Sequence, residues 1–501
     1  MSATVTESAG TAAREEARPG LLERLGDRLN PLVVKEVRQG VRSRVFWVSF
    51  GLMLLACLIL SMVAYVTSLR ASLSSQGQGF FFAFFVCLGV VHFFVIPYSA
   101  YRSLARERED ETWVLLLLTG LGPRRILRGK VFSFLVQAGL YASAVGPFLL
   151  FSYYLNGIDL PTILLVLTLG ASWLVFLTVV AVGAATLADA RMGRALVHLV
   201  LLALLGLSLM YALVAAYFLS EQGYRVVTRD DDFVKFTIGF LWAMLTYGWL
   251  LFETAAARLS LSTENYSRGP RLAFALQVLL SGALLLGWWL AGGQSIHNAQ
   301  AASCAGCLFL SLTGVFVATD ADGQARPLRA ATRPWSLLRP GAVRGFRLVI
   351  LLLLFWTGLC VALYFLSGSS NRFPDAEFLT VLVAPAYSLL FLSLALLVGR
   401  LPRSDRLASP AVVRVLFFVL AGLAGALPPL LAVLFGQNAE DPLFNLLNPF
   451  IGLENFSDYD YDLGEPKMTP GMLACVWLVA VLTAFAADRA LVERERRAHA
   501  S

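Results

Sequence analysis

Two groups of side chains have the residue types and spacing of known chemical sites. Cys304 and Cys307 form a C-x-x-C pair, a spacing found in metal and redox sites. Neither a second pair nor a histidine cluster lies near them in sequence, so we interpret them as small apolar packing residues. The run from Asp458 to Asp462 offers carboxylates to calcium but lacks the glycine turn and closing glutamate of a known loop. We interpret that run as a solvated surface.

The sequence pattern contains neither a catalytic set nor a nucleotide site. The 4 histidines are widely separated along the chain. Gly129 and Lys130 resemble the end of a phosphate loop, but Val131 replaces the Ser or Thr that would hold magnesium. The preceding glycine, Gly122, is at the wrong spacing for such a loop. We therefore predict that this chain is not an enzyme and binds no cofactor itself.

The elements that carry these residues are apolar blocks. The chain is 58% hydrophobic and 15% charged, whereas soluble domains are about 45–50% apolar and about 25% charged. The blocks are about 20 residues long, enough for a helix to cross the bilayer. We predict an all-α polytopic membrane protein with about twelve transmembrane helices, at 45–67, 79–100, 131–154, 161–188, 195–218, 236–256, 272–292, 301–319, 348–367, 378–399, 412–434 and 471–488.

The basic residues predict the orientation of these helices. With a cytoplasmic N-terminus, all of the 40 Lys and Arg fall on the inside except Arg70, Arg225, Arg229, Lys235, Arg372 and Lys467. This asymmetry is typical of cytoplasmic loops, so we predict a multi-pass protein of a bacterial-type inner (plasma) membrane with both termini in the cytoplasm. Membrane topology also explains the positive charge, and no nucleic-acid partner is expected.

The predicted inner loop 101–130 has the most unusual sequence in the chain. Glu107, Glu109 and Glu111 are expected in the first turn of a short helix, where negative charge suits the helix dipole. The apolar run that follows is too short to span a bilayer, and Gly120, Gly122 and Pro123 are expected to end the helix. The pattern predicts a charged helix over 104–122 that docks another protein. An ordinary charged loop is the alternative.

This loop resembles the coupling region of type-2 ATP-binding-cassette (ABC) permeases. The matching residues are Glu107, Arg108, Glu109, Thr112, Leu115 to Leu118, Thr119, Ile126, Gly129 and Lys130. The departures are Glu111, Val114 and Gly120, where the family usually has glycine, glutamate and proline.

A segment before the first span also resembles this family, in its N-P-x-x-x-K-E-x-R entry. The matching residues are Asn30, Pro31, Lys35, Glu36 and Arg38. Asn30 can cap a helix and Pro31 can occupy its first position. An apolar strip with Val33, Val37 and Val41 then predicts an amphipathic helix over 30–44, lying in the membrane interface.

The resemblance implies a permease subunit, an exporter, driven by a separate cytoplasmic ABC ATPase that binds ATP and Mg. It also implies the docking residues on this chain, which are Glu107, Glu109, Thr112, Leu115, Leu116, Arg124 and Arg125. Two hypotheses from other classes stay open: a non-transporting membrane scaffold or assembly protein, and an ion-coupled secondary transporter. The scarcity of ionisable residues near midspan weakens the carrier hypothesis.

The predicted organisation contains two six-span halves. Their similar loop layout favours a fused pseudo-dimer, while six accessory spans on a homodimerising first half fit as well. The predicted segments are a polar cytoplasmic tail (1–29), an interfacial helix (30–44), a permease-like half (45–256) with the coupling loop 101–130, a cytoplasmic linker (257–271), a second half (272–488) with an exterior loop (435–470), and a basic cytoplasmic tail (489–501).

Overall fold

The computed structural model describes residues 31–68, 77–110, 122–156, 158–187, 191–224, 229–260, 264–292, 294–320, 336–368, 374–399, 409–460 and 465–500. The chain forms two compact units, Met1–Met244 and Leu245–Ser501. The division between them falls inside a long helix and not in the 257–271 segment.

The described residues of the first unit form seven helices. They are α1 (Pro31–Val41), α2 (Arg44–Ser68), α3 (Gly77–Glu109), α4 (Pro123–Tyr154), α5 (Leu160–Ala184), α6 (Arg191–Gln222) and the first part of α7 (Asp231–Leu259). The second unit continues with the rest of α7 and with α8 (Arg268–Leu290), α9 (Ile296–Ala318), α10 (Ala342–Leu366), α11 (Ala376–Val398), α12 (Pro410–Leu434), α13 (Ile451–Ser457), β1 (Tyr459–Asp460), β2 (Glu465–Pro466) and α14 (Pro470–Ala500).

Twelve of these helices, α2 to α12 and α14, are long and apolar enough to cross a membrane. Because these twelve match the twelve predicted spans one for one, the predicted fold class of an all-α polytopic membrane protein is confirmed. Only their ends differ from the prediction. α3 runs to Glu109 and α4 begins at Pro123, so both helices extend well beyond their apolar blocks.

Helix α3 contains one π-helical turn, at Val91–Val95. Within it, the N–H of Ile96 donates to the carbonyl of Val91, five residues earlier. Pro97, two residues after this turn, has no N–H for the carbonyl four residues before it, which accounts for a wider turn at this point. The turn places His92 and Phe93 in the interior of the first unit, with His92 Nδ1 lying 3.1 Å from the carbonyl of Leu88.

The second unit is organised around α11, of which 72% of the apolar window is buried. Helices α9 and α14 pack along α11, and α9 also packs closely on α10. At the α9–α10 crossing a Cβ on Gly345 would lie 2.0 Å from the carbonyl oxygen of Val317, so only glycine permits this approach. About three turns further along α10, Trp356 donates its indole N–H to the carbonyl of Ala302 in α9 at 3.0 Å.

The predicted exterior segment 435–470 is described except for 461–464, and its residues 445–448 pack onto the helices of the second unit. Asn445 and Asn448 are both fully buried. The Asn448 side chain donates to the carbonyl of Gly425 in α12 at 3.1 Å, and Tyr387 of α11 donates to the carbonyl of Leu446 at 2.8 Å. Residues 437–450 form turns.

Candidate functional site

The candidate site begins with the short helix α1, which packs on α4. Val33, Glu36, Val37 and Gly40 share one face of α1 because they lie three or four residues apart. Val33 and Glu36 are buried, while Lys35 and Arg38 on the other side are exposed. The amphipathic helix predicted there is present, but its inward face includes a carboxylate that the predicted apolar strip did not contain.

Glycine allows α1 to lie this close to α4. A Cβ on Gly40 would lie 2.3 Å from Nε2 of Gln137, whose side chain is buried. Helix α2 also contacts α4, where the hydroxyl groups of Ser49 and Tyr141 lie 2.6 Å apart. The first two helices of the chain's described part, α1 and α2, therefore both contact α4, the helix in which the predicted coupling loop ends.

Lys130 of α4 lies at the centre of the site, and its side chain is fully buried. Its ammonium nitrogen is 3.2 Å from Oε1 of Glu36 in α1 and 2.7 Å from Oε1 of Glu107 in α3. It also donates to the hydroxyl of Ser103 at 3.0 Å. These four residues, Glu36, Ser103, Glu107 and Lys130, are called the Lys130 cluster below. Three helices from separate parts of the sequence thus share one buried cation.

Electrostatics explain why this arrangement holds. A buried ammonium alone would cost several kcal/mol of desolvation, and the loss is recovered only with well-placed carboxylates and further hydrogen bonds. Lys130 has two carboxylates and one hydroxyl, which together use its three N–H donors. The side chains of Glu36 and Glu107 are 10% and 22% exposed, so both carboxylates are partly shielded from water.

Further contacts fix the end of α3 against neighbouring helices. Arg108 donates to the carbonyl of Ala185, just after α5, at 2.9 Å. Glu109 and Arg194 of α6 form a looser pair at 3.9 Å. Ala185 follows the last residue of α5, and Arg194 lies in the first turn of α6. The C-terminal end of α3 is thus held beside the C-terminal end of α5 and the N-terminal end of α6.

One prediction for this region is wrong. We expected Glu107 and Glu109 in the first turn of a new helix over 104–122. The structure places both in the last turn of α3, whose helix ends at Glu109. Because negative charge at a helix C-terminus is unfavourable to the helix dipole, the dipole does not explain these residues. Their partners Lys130 and Arg194 do explain them.

The remaining predicted docking residues divide into two groups. Arg124 and Arg125 lie in the first turn of α4 and are exposed. Thr112, Leu115 and Leu116 lie outside the described residues, as do Glu111 and the capping residue Asn30. Pro31 is the first residue of α1, the position expected for it.

The second unit has its own buried polar cluster, at Arg271 near the start of α8. The Arg271 side chain is 2% exposed and pairs with Asp320, which follows α9, at 3.0 Å. It also donates to the carbonyls of Leu337 and Gly341 at 2.9 Å each and to that of Arg339. A single guanidinium thereby joins α8, the end of α9 and the turn that leads into α10.

Two further ion pairs join α10 to α14 in the same unit. Arg344 pairs with Glu495, and Arg347 makes two hydrogen bonds with Asp488, at 2.9 Å and 2.8 Å. The parallel bonds of Arg347 give the pair a fixed orientation. Buried charges in this unit therefore lie near helix ends.

The structure describes both cysteines of the C-x-x-C pair and the first part of the Asp458–Asp462 run. All 6 cysteines are free, and Cys307 is buried while Cys304 is half-buried on α9. In the described part of the chain, no group of three or more His, Cys, Asp or Glu side chains is placed to hold a metal ion. In the run from Asp458 to Asp462, Asp458 pairs with Lys467 at 2.9 Å, which raises the pKa of Lys467.

Comparison of this chain with family models, with curated proteins and with solved structures finds no match. Sequence reasoning had matched Lys130 to the coupling pattern but assigned it no contact. The residue that could have indicated the cluster from the sequence is Glu36. It lies three residues after Val33 on the apolar side of an amphipathic helix, and a carboxylate buried there requires a partner.

Proposed function

We propose that this chain is the membrane subunit of an ABC transporter, an exporter of a plasma membrane, driven by a separate cytoplasmic ATPase. The observation that carries the proposal is the Lys130 cluster. Glu36 belongs to the entry segment that resembles the family, and Glu107 and Lys130 belong to the coupling segment. The two segments are linked in the sequence only by this resemblance. In the structure the ammonium nitrogen of Lys130 lies within 3.2 Å of a carboxylate oxygen from each of them.

The position of the cluster suits the transmission of force. Residues 111–121 lie outside the described residues; in the sequence they connect the end of α3, which carries Glu107, to the start of α4, two turns before Lys130. A force applied to residues 111–121 would act on α3 and α4, which are joined by the buried ammonium of Lys130. Because Glu36 binds the same cation, the movement would also reach α1 and, through α1, the start of α2.

The partner is proposed from the charge at the start of α4. Arg124 and Arg125 are exposed there, and Arg128 one turn further is exposed as well. These three basic residues suit an acidic groove on the ATPase. ATP and Mg would bind to that ATPase, since this sequence has no phosphate loop of its own.

The buried clusters in the two units support a fused pseudo-dimer over a homodimer of the first half. In the first unit Lys130 joins the end of α3 to α4. In the second unit Arg271 joins the end of α9 to the turn before α10. Each cluster thus ties the end of the second spanning helix of its half to the start of the third.

A pull-down from detergent-solubilised membranes tests the proposal. The variants are Arg124→Glu/Arg125→Glu and, as a matched control, Arg229→Glu/Lys235→Glu, which reverses two exposed charges at the opposite end of the same unit. We expect a protein with a G-x-x-x-x-G-K-[ST] loop to co-purify with the wild type and the control but not with the first variant. If no such protein is captured with any of the three, the transporter proposal is wrong and the scaffold hypothesis replaces it.

A further inference from the structure

The first unit contains an apolar cavity that the proposed function does not use. Its volume is about 240 Å³, and helices α3, α5, α6 and α7 line it. Aromatic rings dominate the lining, among them Phe85, Phe93, Trp173, Tyr211 and Phe240. No charged side chain is present among the described residues that line it.

The cavity has a buried floor and an open mouth. At the floor, Phe85 and Phe93 are 3% and 2% exposed. At the mouth, Tyr211 and Phe236 are 50% and 61% exposed. The π-helical turn of α3 contains Phe93, so the irregular turn described above supplies part of the floor. A ligand can therefore enter from the surface of the unit and reach the interior.

The cavity wall favours hydrocarbon over a polar ligand. Trp173 donates its indole N–H to the hydroxyl of Ser208 at 2.8 Å, so its ring offers only carbon to the cavity. A water molecule needs two to four polar partners, and an apolar cavity of about 150 Å³ stays dry and binds benzene. A cavity of 240 Å³ accommodates a larger apolar group.

The surroundings of the mouth identify the source of the hydrocarbon. All four lining helices are long and apolar enough to span the membrane. The lining residue Phe233 lies in the first turn of α7, Val166 lies in the second turn of α5, and Leu219 lies in the last turn of α6. These helix ends are opposite to those near the Lys130 cluster. The mouth therefore faces one leaflet, where lipid chains are the abundant apolar molecules.

We infer that this cavity is a binding site for one acyl chain of a membrane lipid, held between Phe93, Trp173 and Phe236 in the leaflet opposite to the Lys130 cluster. The inference is independent of the ATPase partner. It concerns a lipid that stays bound and not the molecule that is transported.

Gly170 of α5 provides a way to fill the site. A Cβ there would lie 3.4 Å from Cζ of Phe93 and 3.8 Å from Cζ of Phe85, which is ordinary contact. Alanine therefore fits, while the larger side chain of Gly170→Leu enters the cavity. Ala216→Leu fills it independently from α6. Gly139→Leu is the matched control, because Gly139 is an exposed helical glycine of α4 with open space around it.

The experiment uses the full chain in lipid nanodiscs that contain phosphatidylcholine with a photoreactive diazirine in one acyl chain. After irradiation, labelled peptides are mapped by mass spectrometry over a range of probe fractions. Helix α2, whose Leu52 and Met62 are 63% and 72% exposed, provides the reference for ordinary contact with the bilayer. Melting of each variant by intrinsic fluorescence confirms that it is folded.

We expect labelling of the cavity residues to saturate at low probe fraction, while labelling of α2 rises in proportion to the probe. Gly170→Leu and Ala216→Leu should each reduce cavity labelling about tenfold, as expected when the contact of two methylene groups is lost. Gly139→Leu and Gly170→Ala should leave it unchanged. Cavity labelling that rises linearly like that of α2, or that persists in both filled variants, would overturn the inference. Protection of the residues at the mouth from labelling by a second copy of the chain would overturn it as well.

Discussion

Glu36 and Lys130 are 94 positions apart in the sequence, and their side chains form an ion pair at 3.2 Å. The pair joins α1, which precedes the first spanning helix, to α4, the third. Glu107 of α3 binds the same ammonium group at 2.7 Å. One residue of the entry segment, Glu36, and two of the coupling segment, Glu107 and Lys130, thus meet in one cluster.

Removal of the central cation should be the most damaging change in this cluster. Lys130→Met keeps the length of the side chain but leaves two partly buried carboxylates side by side. Loss of one partner from a buried pair costs about 3–5 kcal/mol, so we expect the free energy of unfolding in mixed micelles to fall by that order. An unfolding curve that overlays the wild-type curve would show that Lys130 does not hold the three helices together.

A double-mutant cycle measures the link between α1 and α4 directly. Glu36→Gln and Lys130→Met, singly and together, should give a coupling energy of about 0.5–3 kcal/mol in the same unfolding assay. The exposed pair of Lys235 and Asp232 is the control and should couple by less than about 1 kcal/mol. Equal coupling in the two cycles would contradict the burial of the Glu36 pair.

The closest helix contact of the second unit predicts a contrast between two glycines of α10. Gly345→Ala would bring its methyl group to 2.0 Å from the Val317 carbonyl oxygen, so α9 and α10 must separate. We expect a loss of about 1–3 kcal/mol in the free energy of unfolding. Gly358→Ala has open space and should be neutral or stabilise by up to about 1 kcal/mol. Similar values for the two variants would contradict the described crossing.

The fork of the Arg271 guanidinium predicts that lysine cannot replace it. Arg271 donates from two nitrogens to three carbonyls and a carboxylate that face it from different directions. The compact ammonium of Arg271→Lys cannot reach all of them, and we expect a loss of at least about 1.5 kcal/mol. Arg268→Lys, an exposed change in the same first turn, is the control and should unfold as the wild type does. Equal free energies of unfolding for Arg271→Lys and Arg268→Lys would contradict the hydrogen bonds described for Arg271.

The spanning helices could be predicted from the sequence because a block of about 20 apolar residues has the length and hydrophobicity of a helix that crosses a bilayer. Their ends could not. The apolar block of α3 ends near residue 100, but backbone hydrogen bonds continue the helix to Glu109, where charged residues point to partners rather than to lipid. Hydropathy is insensitive to such an extension.

The contacts of the candidate site depend on tertiary structure in the same way. The sequence predicted that Glu107 and Lys130 belong to one functional segment and that Glu36 belongs to an amphipathic helix. The contact of Glu36 with Lys130 depends on Gly40, which lets α1 approach α4. The contact of Glu107 with Lys130 depends on the length of α3, which continues to Glu109. Neither feature follows from local periodicity.

In-cell photo-crosslinking tests the central claim, that an ATPase docks beside the Lys130 cluster, most directly. A photoreactive phenylalanine derivative replaces Arg125 in one strain and Arg229, at the opposite end of the unit, in a second. The proposal predicts a cross-link from position 125 to a protein with a G-x-x-x-x-G-K-[ST] loop, and none from position 229. The absence of such a protein from the position 125 adducts, in a chain that is folded and inserted, would contradict the proposed function.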